Sequence, residues 1–457
     1  MTSLSKSLKS LFRFLVYLMP VMLVLGVLDF RFHNYFWADF GSGWLRWIEP
    51  IAMFDFFSVL SVYLVLLVVM WGVLTGMGLL NGRERAEQVF SWVYVPVVLI
   101  LIGAVIARIF YTPGPEVVHS FYFEIFLDYL APIAGAAVLL FSLKESKSVF
   151  ENFVKVFMGT FAVFGGVILF QHFSGVLPGV AHDFLGRLSW PYIDPFFNMT
   201  AESANHLAFL FGPVAVLGFA KVVAGARGWK RSTGASIVRR FALPAATFLI
   251  SFAVVVLTKS YTGILISLML FSFIMFVNLP KKIRLYFVVG LVVLAVAGVL
   301  SQVNTRKFQI LIGNDSQETS LNRREQIYIF NYEAFKVRPI VGIGPDNYKG
   351  FFRENMMEFL GTEFPTIEVP PHTHNLLLHF WSELGVFGLA GILIIYVGVL
   401  GKLFFERRRN EFVFVLAYLL GHGLLDVPYG TPENSLMFWM VLALILVQDT
   451  YKMRAAR

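Results

Sequence analysis

Apolar residues recur in long runs from one end of the chain to the other, separated by mostly short polar segments. About twelve runs, the first near 11–28 and the last near 433–449, approach the roughly 20 residues that a helix needs to cross a bilayer. A long polar segment, 304–373, interrupts this pattern between the ninth and tenth runs. The pattern predicts an all-α polytopic membrane protein with about twelve transmembrane helices. We expect residues 1–457 to form one membrane domain, with 304–373 as a loop subdomain between helices 9 and 10.

Lysine and arginine residues are concentrated in every second segment between the apolar runs. Short loops rich in these residues stay on the cytoplasmic side of a membrane. The alternation therefore predicts a multi-pass protein of the bacterial inner membrane with both termini in the cytoplasm. It also predicts that the large loop, and any active site built on it, lies on the periplasmic side.

Composition agrees with a membrane protein, since 57% of the residues are hydrophobic, 14% are charged and the mean hydropathy is +0.71. Soluble domains carry about 25% charged residues. The formal net charge of +8 is explained by the cytoplasmic basic clusters, so no nucleic-acid partner is expected. The absence of cysteine excludes disulfides, thiolate nucleophiles and cysteine-ligated metals.

A cluster of polar residues with two histidines opens the tenth predicted helix at the outer membrane surface. His372, His374 and Asn375 follow two prolines and precede a long apolar run. Ionisable groups at this depth are costly and are usually functional, and a histidine can act as a general base. The alternative is that His374 only caps the helix or lies at the wet interface. A metal site is not expected, because no carboxylate pair with ligand spacing accompanies the histidines.

Arginines form a second cluster in the segments predicted to be periplasmic. Arg323 and Arg324 begin a presumed helix in the large loop, Arg338 ends it, and Arg187 lies in another outer segment. The guanidinium fork matches phosphate oxygens and keeps its charge, so these residues are candidates for holding a lipid pyrophosphate. The alternative is a solvated helix face, because the large loop has about as many acidic as basic residues.

Four segments, in chain order, resemble the O-antigen ligase and polymerase family of membrane proteins. Segment 371–388 begins Pro-His-Thr-His-Asn and ends Glu-Leu-Gly-Val-Phe-Gly, similar to the family signature His-Asn…Glu-x-Gly-x-x-Gly. Segment 324–348 resembles the family's loop helix, with its Pro-x-x-Gly-x-Gly-x-x-x-aromatic end. Segments 202–208 and 257–263 resemble a helix start with asparagine and alanine and a Thr-x-Ser-Arg-Gly turn.

The resemblance implies a glycosyltransferase that needs neither metal nor other cofactor. It would move a glycan from an undecaprenyl-pyrophosphate donor to an acceptor hydroxyl of lipid A–core at the periplasmic face. His374 matches the family's catalytic base and would deprotonate the acceptor hydroxyl. Attack from the face opposite the leaving group would invert the anomeric carbon.

The resemblance also implies roles for other residues. Arg187, together with Arg323 or Arg324, matches arginines that bind the pyrophosphate in the family. Where the family often has Ser-Arg, this chain has Ser260-Tyr261, and Lys259 one position earlier is expected to supply the charge. The residues expected to line the cavity are His372, Asn375, Asn205 and Arg338, and Asp426 is expected to be an interface residue rather than a catalyst.

Three other functions stay open on the sequence alone. A polymerase would use the same donor and base with a second lipid-linked glycan as acceptor. A protein O-glycosylating enzyme would use a side-chain hydroxyl. A transporter of lipid-linked glycan is disfavoured, because transporters usually place charged residues and broken helices at mid-bilayer and often have repeated halves. Membrane lipid is an expected partner in every case.

Overall fold

A computed structural model of the chain describes residues 3–27, 59–80, 93–110, 129–174, 180–182, 188–191, 204–226, 234–302, 320–345, 347–361, 370, 372–406, 410–427, 429 and 432–456. The helices, in order, are α1 (Ser3–Val27), α2 (Val59–Gly76), α3 (Tyr94–Phe110), α4 (Ala131–Leu143), α5 (Lys147–Ser174), α6 (Ala204–Ala226), α7 (Gly234–Leu257), α8 (Tyr261–Asn278), α9 (Lys281–Gln302), α10 (Ser320–Val337), α11 (Tyr348–Leu360), α12 (Leu376–Phe405), α13 (Glu411–Gly423) and α14 (Pro432–Ala456).

The described part of the chain is almost entirely helical, and each of the twelve predicted runs contains a helix. Seven helices are long and apolar enough to cross a membrane: α1, α5, α6, α7, α8, α12 and α14. Four shorter helices, α2, α3, α4 and α13, are also apolar. The protein is therefore a multi-pass membrane protein. The number of crossings and the side on which each end lies stay predictions.

A short β-hairpin departs from the all-α prediction. Strand β1 (Val180–His182) pairs antiparallel with β2 (Leu188–Pro191), with Val180 opposite Pro191. The hairpin lies in a segment rich in proline, glycine and aromatic residues. Arg187, a predicted pyrophosphate ligand, lies outside the described residues.

Helices α6 and α14 form the centre of the bundle and are the most buried of the candidate spans. Small residues let neighbouring helices approach closely. A methyl group added at Gly212 of α6 would overlap the ring of Tyr418 on α13, and one at Gly103 of α3 would lie 2.8 Å from the carbonyl oxygen of Leu384 on α12. The bundle thus brings the start of α6, the end of α13 and the start of α12 to the same end of the molecule.

Helices α10 and α11, in the predicted loop subdomain, pack around a core of their own. Its buried residues are Ile327, Phe330, Ala334, Ile343, Tyr348, Phe351 and Phe352. The rings of Phe330 and Phe352 lie 4.2 Å apart. This folded part agrees with the expectation that the large loop is structured, while its boundaries at 304 and 373 stay predictions.

Helix α12 is broken at Gly385, where φ is 65° and ψ is −155°. The segment after α10 packs into this break. The N–H of Val386 donates to the carbonyl of Ile340 at 3.1 Å, and the N–H groups of Ile343 and Gly344 donate to the carbonyls of Ser382 and Glu383 at 2.7 and 2.9 Å. Backbone groups freed inside a bilayer must find such partners, so the break fastens the two loop helices to α12.

Gly385→Ala is expected to destabilise the protein. The backbone conformation at this position is almost exclusive to glycine and costs other residues about 1–3 kcal/mol, and a methyl group would lie 1.9 Å from the carbonyl oxygen of Ile340. Thermal unfolding in detergent should show a clear drop. Gly401→Ala is the control in the same helix, because it meets open space. Equal stability of the two variants would contradict this account of the break.

Candidate active site

The site begins with a capped helix. The side-chain oxygen of Asn375 accepts the N–H groups of Leu377 and Leu378 at the start of α12, at 2.9 and 3.1 Å. Its amide donates to the carbonyl of Leu424, just beyond α13, at 2.9 Å. Asparagine is a preferred residue at this cap position. Asn375, predicted to line the cavity, is thus the cap that joins the start of α12 to the turn after α13.

His374, one residue earlier, has a left-handed backbone conformation with φ of 51°. Such values are uncommon in residues other than glycine and concentrate at functional sites. This conformation lets the N–H of His374 donate to Nδ1 of His372 at 3.3 Å and brings the two rings to 4.4 Å between centroids. The phenol of Tyr328 on α10 donates to the carbonyl of His374 at 3.3 Å.

The imidazole of His374 faces a buried carboxylate. Its Nδ1 lies 3.0 Å from Oδ1 of Asp426. A carboxylate only accepts hydrogen bonds, so Nδ1 carries a proton and donates it, which leaves Nε2 with a lone pair. The His374 side chain is 27% exposed and that of Asp426 only 5%, so the histidine is accessible while its partner is shielded.

Asp426 has further hydrogen-bond donors that hold its carboxylate in place. The side-chain amide of Asn205, at the start of α6, donates to Oδ2 at 2.5 Å, and the N–H of Val427 donates to Oδ1 at 2.9 Å. Burial by itself raises the pKa of Asp426, but the hydrogen bond and charge of His374 and the nearby histidines outweigh it and hold the pKa well below the usual range. The carboxylate is therefore charged at neutral pH.

Asp426 was expected to be an interface residue rather than a catalyst, but the structure buries it against the imidazole of His374. Its part in catalysis stays a prediction. The two residues are 52 positions apart in the chain, and Asn205 is 221 positions from Asp426. No short motif links them. The available signal was that all three lie at helix ends predicted to be on the same side of the membrane.

Burial lowers the pKa of His372 well below its ordinary value, and the neighbouring His374 lowers it further, with partial opposition from Asp426. His372 is therefore neutral at pH 7. Another histidine, His422 in the last turn of α13, packs against the rings of Phe209 and Tyr418. Neither of its ring nitrogens has a hydrogen-bond partner among the described residues.

Arg324 lies beside this cluster, in a groove of about 530 Å³ between α10 and the turn after α13. The groove is mostly apolar and is lined by Arg324, Glu325, Tyr328, Ile329, Tyr332 and Leu425. Burial raises the pKa of Tyr328, while the charge of Arg324 lowers it and that of Asp426 raises it. Tyr328 thus interacts electrostatically with both Arg324 and Asp426, and its phenol stays protonated at neutral pH.

The other predicted basic residues are placed differently. Arg323 is half-buried next to Arg324, and its Nε has no hydrogen-bond partner in the described part of the chain. Arg338 lines a separate small pocket with Phe335 and Trp381. Lys259 is exposed in the left-handed turn between α7 and α8, and no hydrogen bond or ion pair to a described residue involves its side chain.

Comparison with known proteins bears on this arrangement. Residues 246–393 match the family model described as O-antigen ligase. The matched segment runs from α7 into α12, so it includes Arg324 and His374, while Asn205 and Asp426 lie outside it. No curated protein matches the chain. The family supports a membrane enzyme of the O-antigen ligase or polymerase type, with lipid-linked glycans and lipid as its partners in general. The match over 246–393 thus supports the resemblance to the O-antigen ligase family that the sequence predicted.

Proposed function

We propose that this protein transfers a glycan from an undecaprenyl-pyrophosphate donor to a hydroxyl of lipid A–core at the periplasmic face of the inner membrane. One observation carries the proposal: the imidazole of His374 is oriented by the buried carboxylate of Asp426, beside the groove that contains Arg324. The match of the segment that holds both His374 and Arg324 to the O-antigen ligase family supports the same class of reaction.

His374 is the general base of the proposed reaction. With its Nδ1 proton donated to Asp426, Nε2 is free to accept the proton of an acceptor hydroxyl. The imidazolium that forms is stabilised by the adjacent negative charge. Asn205 and Val427 keep the carboxylate in position, so the base does not have to reorganise during the reaction.

The groove beside Arg324 is the proposed binding place of the donor. A prenyl pyrophosphate combines an apolar chain with a strongly anionic group. The groove offers the apolar side chains of Ile329 and Leu425 together with the guanidinium of Arg324. A fixed positive charge there would stabilise the charge that grows on the leaving pyrophosphate. Arg187, Arg323 and Lys259 are proposed as further contacts to the pyrophosphate, with Arg338 as a cavity residue beyond them.

The reaction balances without a further reactant. The acceptor oxygen gives its proton to Nε2 of His374 and forms a bond to the anomeric carbon. The bond from that carbon to the pyrophosphate oxygen breaks, and its electron pair leaves with the pyrophosphate. Attack opposite the leaving group inverts the anomeric centre. The enzyme's part is to orient the two lipid-borne substrates and to supply the base and the positive charge.

Arg324→Lys is expected to lower transfer by a factor on the order of 10², because a point charge cannot replace the two-pronged contact of a guanidinium. The measurement is the rate of product formation from labelled lipid-linked glycan by the purified protein. Arg353→Lys on α11 is the matched control, since Arg353 is exposed and lies outside the groove. A wild-type rate in Arg324→Lys would remove Arg324 from the site.

A polymerase is the second candidate. The large loop has no excess of basic over acidic residues, which does not favour a heavily phosphorylated acceptor such as lipid A–core. Labelled lipid-linked repeats supplied with and without lipid A–core distinguish the two. Transfer only when lipid A–core is present supports the ligase, and chain growth without it supports the polymerase.

Movement of lipid-linked glycan that survives His374→Ala, with no glycan joining, would instead indicate a transporter.

A further inference from the structure

We propose that His372, His374 and Asp426 form a binding site for a divalent transition-metal ion of the Zn²⁺ class, and that an ion bound there stops transfer. Binding itself follows from the geometry of the three side chains. Only the inhibition rests on the proposed function, because it requires His374 to be the base.

The three residues already lie close together. Each offers one ligand atom, and these atoms are all within 4.8 Å of one another. Nδ1 of His374 and Oδ1 of Asp426 are 3.0 Å apart. The left-handed turn at His374 holds the two imidazole rings against each other. The sequence had shown the two histidines without a carboxylate, and the fold supplies one from beyond α13.

The donor set suits zinc. Two imidazole nitrogens and one carboxylate oxygen are ligands that Zn²⁺ takes at about 2.0–2.2 Å. Two ligand atoms of a tetrahedral ion are then about 3.3–3.6 Å apart, so a pair as wide as 4.8 Å has to close by about 1.2–1.5 Å. His372 can make this movement, because it is only partly buried and precedes the helix. Three protein ligands also leave a coordination position for a water or a substrate oxygen.

The supporting contacts also resemble those of metal ligands. A carboxylate ligand is usually held by further hydrogen bonds. Asp426 accepts one from the amide of Asn205 on Oδ2 and one from the N–H of Val427 on Oδ1. These donors are in place before any ion arrives, so binding requires only that His372 moves and that His374 gives up its hydrogen bond to Asp426.

An ion at this site would prevent His374 from accepting a proton, whichever nitrogen it takes. If the metal binds Nε2, the lone pair that receives the proton is occupied. If the metal binds Nδ1, the single proton of the neutral ring moves from Nδ1 to Nε2, which then has no lone pair. Transfer would therefore fall as the site fills and return when the ion is removed.

The test is calorimetric titration of Zn²⁺ into the full chain, purified in detergent without a polyhistidine tag and treated with chelator. We expect one ion per chain and at least about tenfold weaker binding in His372→Ala, since loss of even an outer-shell partner of a metal ligand costs 10- to 100-fold. His172→Ala, which removes a histidine at the end of α5, is the matched control and should bind like the wild type. Failure of the folded wild type to bind a stoichiometric ion, or unchanged binding in His372→Ala, would overturn the proposal.

Measurements of folding, of Co²⁺ binding and of transfer keep the result interpretable. Helical circular dichroism and the unfolding temperature show whether His372→Ala is folded. Visible absorption of tetrahedral Co²⁺ in the wild type, absent in the variant, shows that the ion site depends on His372. In transfer assays, the Zn²⁺ concentration that halves the rate should rise about tenfold in His372→Ala, in line with its weaker binding. Binding without any transfer activity would refute the proposed function and leave the metal site standing. Transfer without binding would do the reverse.

Discussion

His374→Ala is expected to reduce glycan transfer by a factor on the order of 10²–10⁴, the usual contribution of a general base. The loss should appear in the rate of the bound complex more than in the donor concentration needed for half-saturation, because the imidazole acts on the proton that moves. The measurement is product formed from labelled lipid-linked glycan at saturating acceptor.

His374→Asn separates the loss of the base from a change in the backbone. Asparagine tolerates the left-handed conformation found at this position and carries no base. Both variants should therefore be equally inactive, while His172→Ala, which removes the histidine at the end of α5, should keep wild-type transfer. Substantial activity in His374→Asn would exclude the imidazole from the chemistry.

Asp426→Asn is expected to be nearly as damaging, also on the order of 10²–10⁴. The substitution removes the negative charge that stabilises the imidazolium. It also places an amide between two donors, the side chain of Asn205 and Nδ1 of His374. The new amide nitrogen then faces one of these two donors and cannot accept its hydrogen bond. Because Asp426 acts through His374, the maximal rate should fall while donor affinity changes little.

Two comparisons test this positioning role. Asp426→Glu, which keeps the charge, should recover part of the lost rate. Asp449→Asn is the matched control at the other end of the bundle, where Asp449 binds Lys402 and Asn410 at 2.7 and 2.9 Å. It is expected to lower the unfolding temperature and to leave transfer intact. Equal loss of transfer in Asp426→Asn and Asp449→Asn would mean that Asp426 acts only through stability.

The membrane helices could be predicted because burial in lipid demands apolar side chains around the whole helix, and this leaves a strong signal in the sequence. The break at Gly385 could not be predicted from apolar runs alone. It follows the polar residues Ser382 and Glu383 within the segment that resembles the family signature, but the hydrogen bonds that compensate for it come from Ile340, Ile343 and Gly344, more than 35 positions earlier. Contacts of this range are properties of the fold.

The candidate site, like the fold, could be predicted only in part from the sequence. His374 was recognisable because ionisable residues at the membrane are energetically costly and are usually present for a function. Asp426 did not, because its importance depends on the distance to His374, which only the packing of α12 against α13 determines. For Lys259 the motif predicted a pyrophosphate ligand, but the turn leaves its side chain exposed. Its proposed role therefore requires the side chain to reach a bound pyrophosphate.

The docking of 340–344 into the break of α12 has a consequence for exchanging parts between related enzymes. A chimera that takes only the two loop helices from a relative would place the relative's version of 340–344 against the original α12. The backbone amides and carbonyls at the break would then lack matching partners in a lipid environment. The smallest exchanged segment that keeps the hydrogen bonds between 340–344 and α12 intact runs from the start of α10 through Val386. Substrate preference encoded in the loop should therefore transfer between relatives only when that whole block moves together.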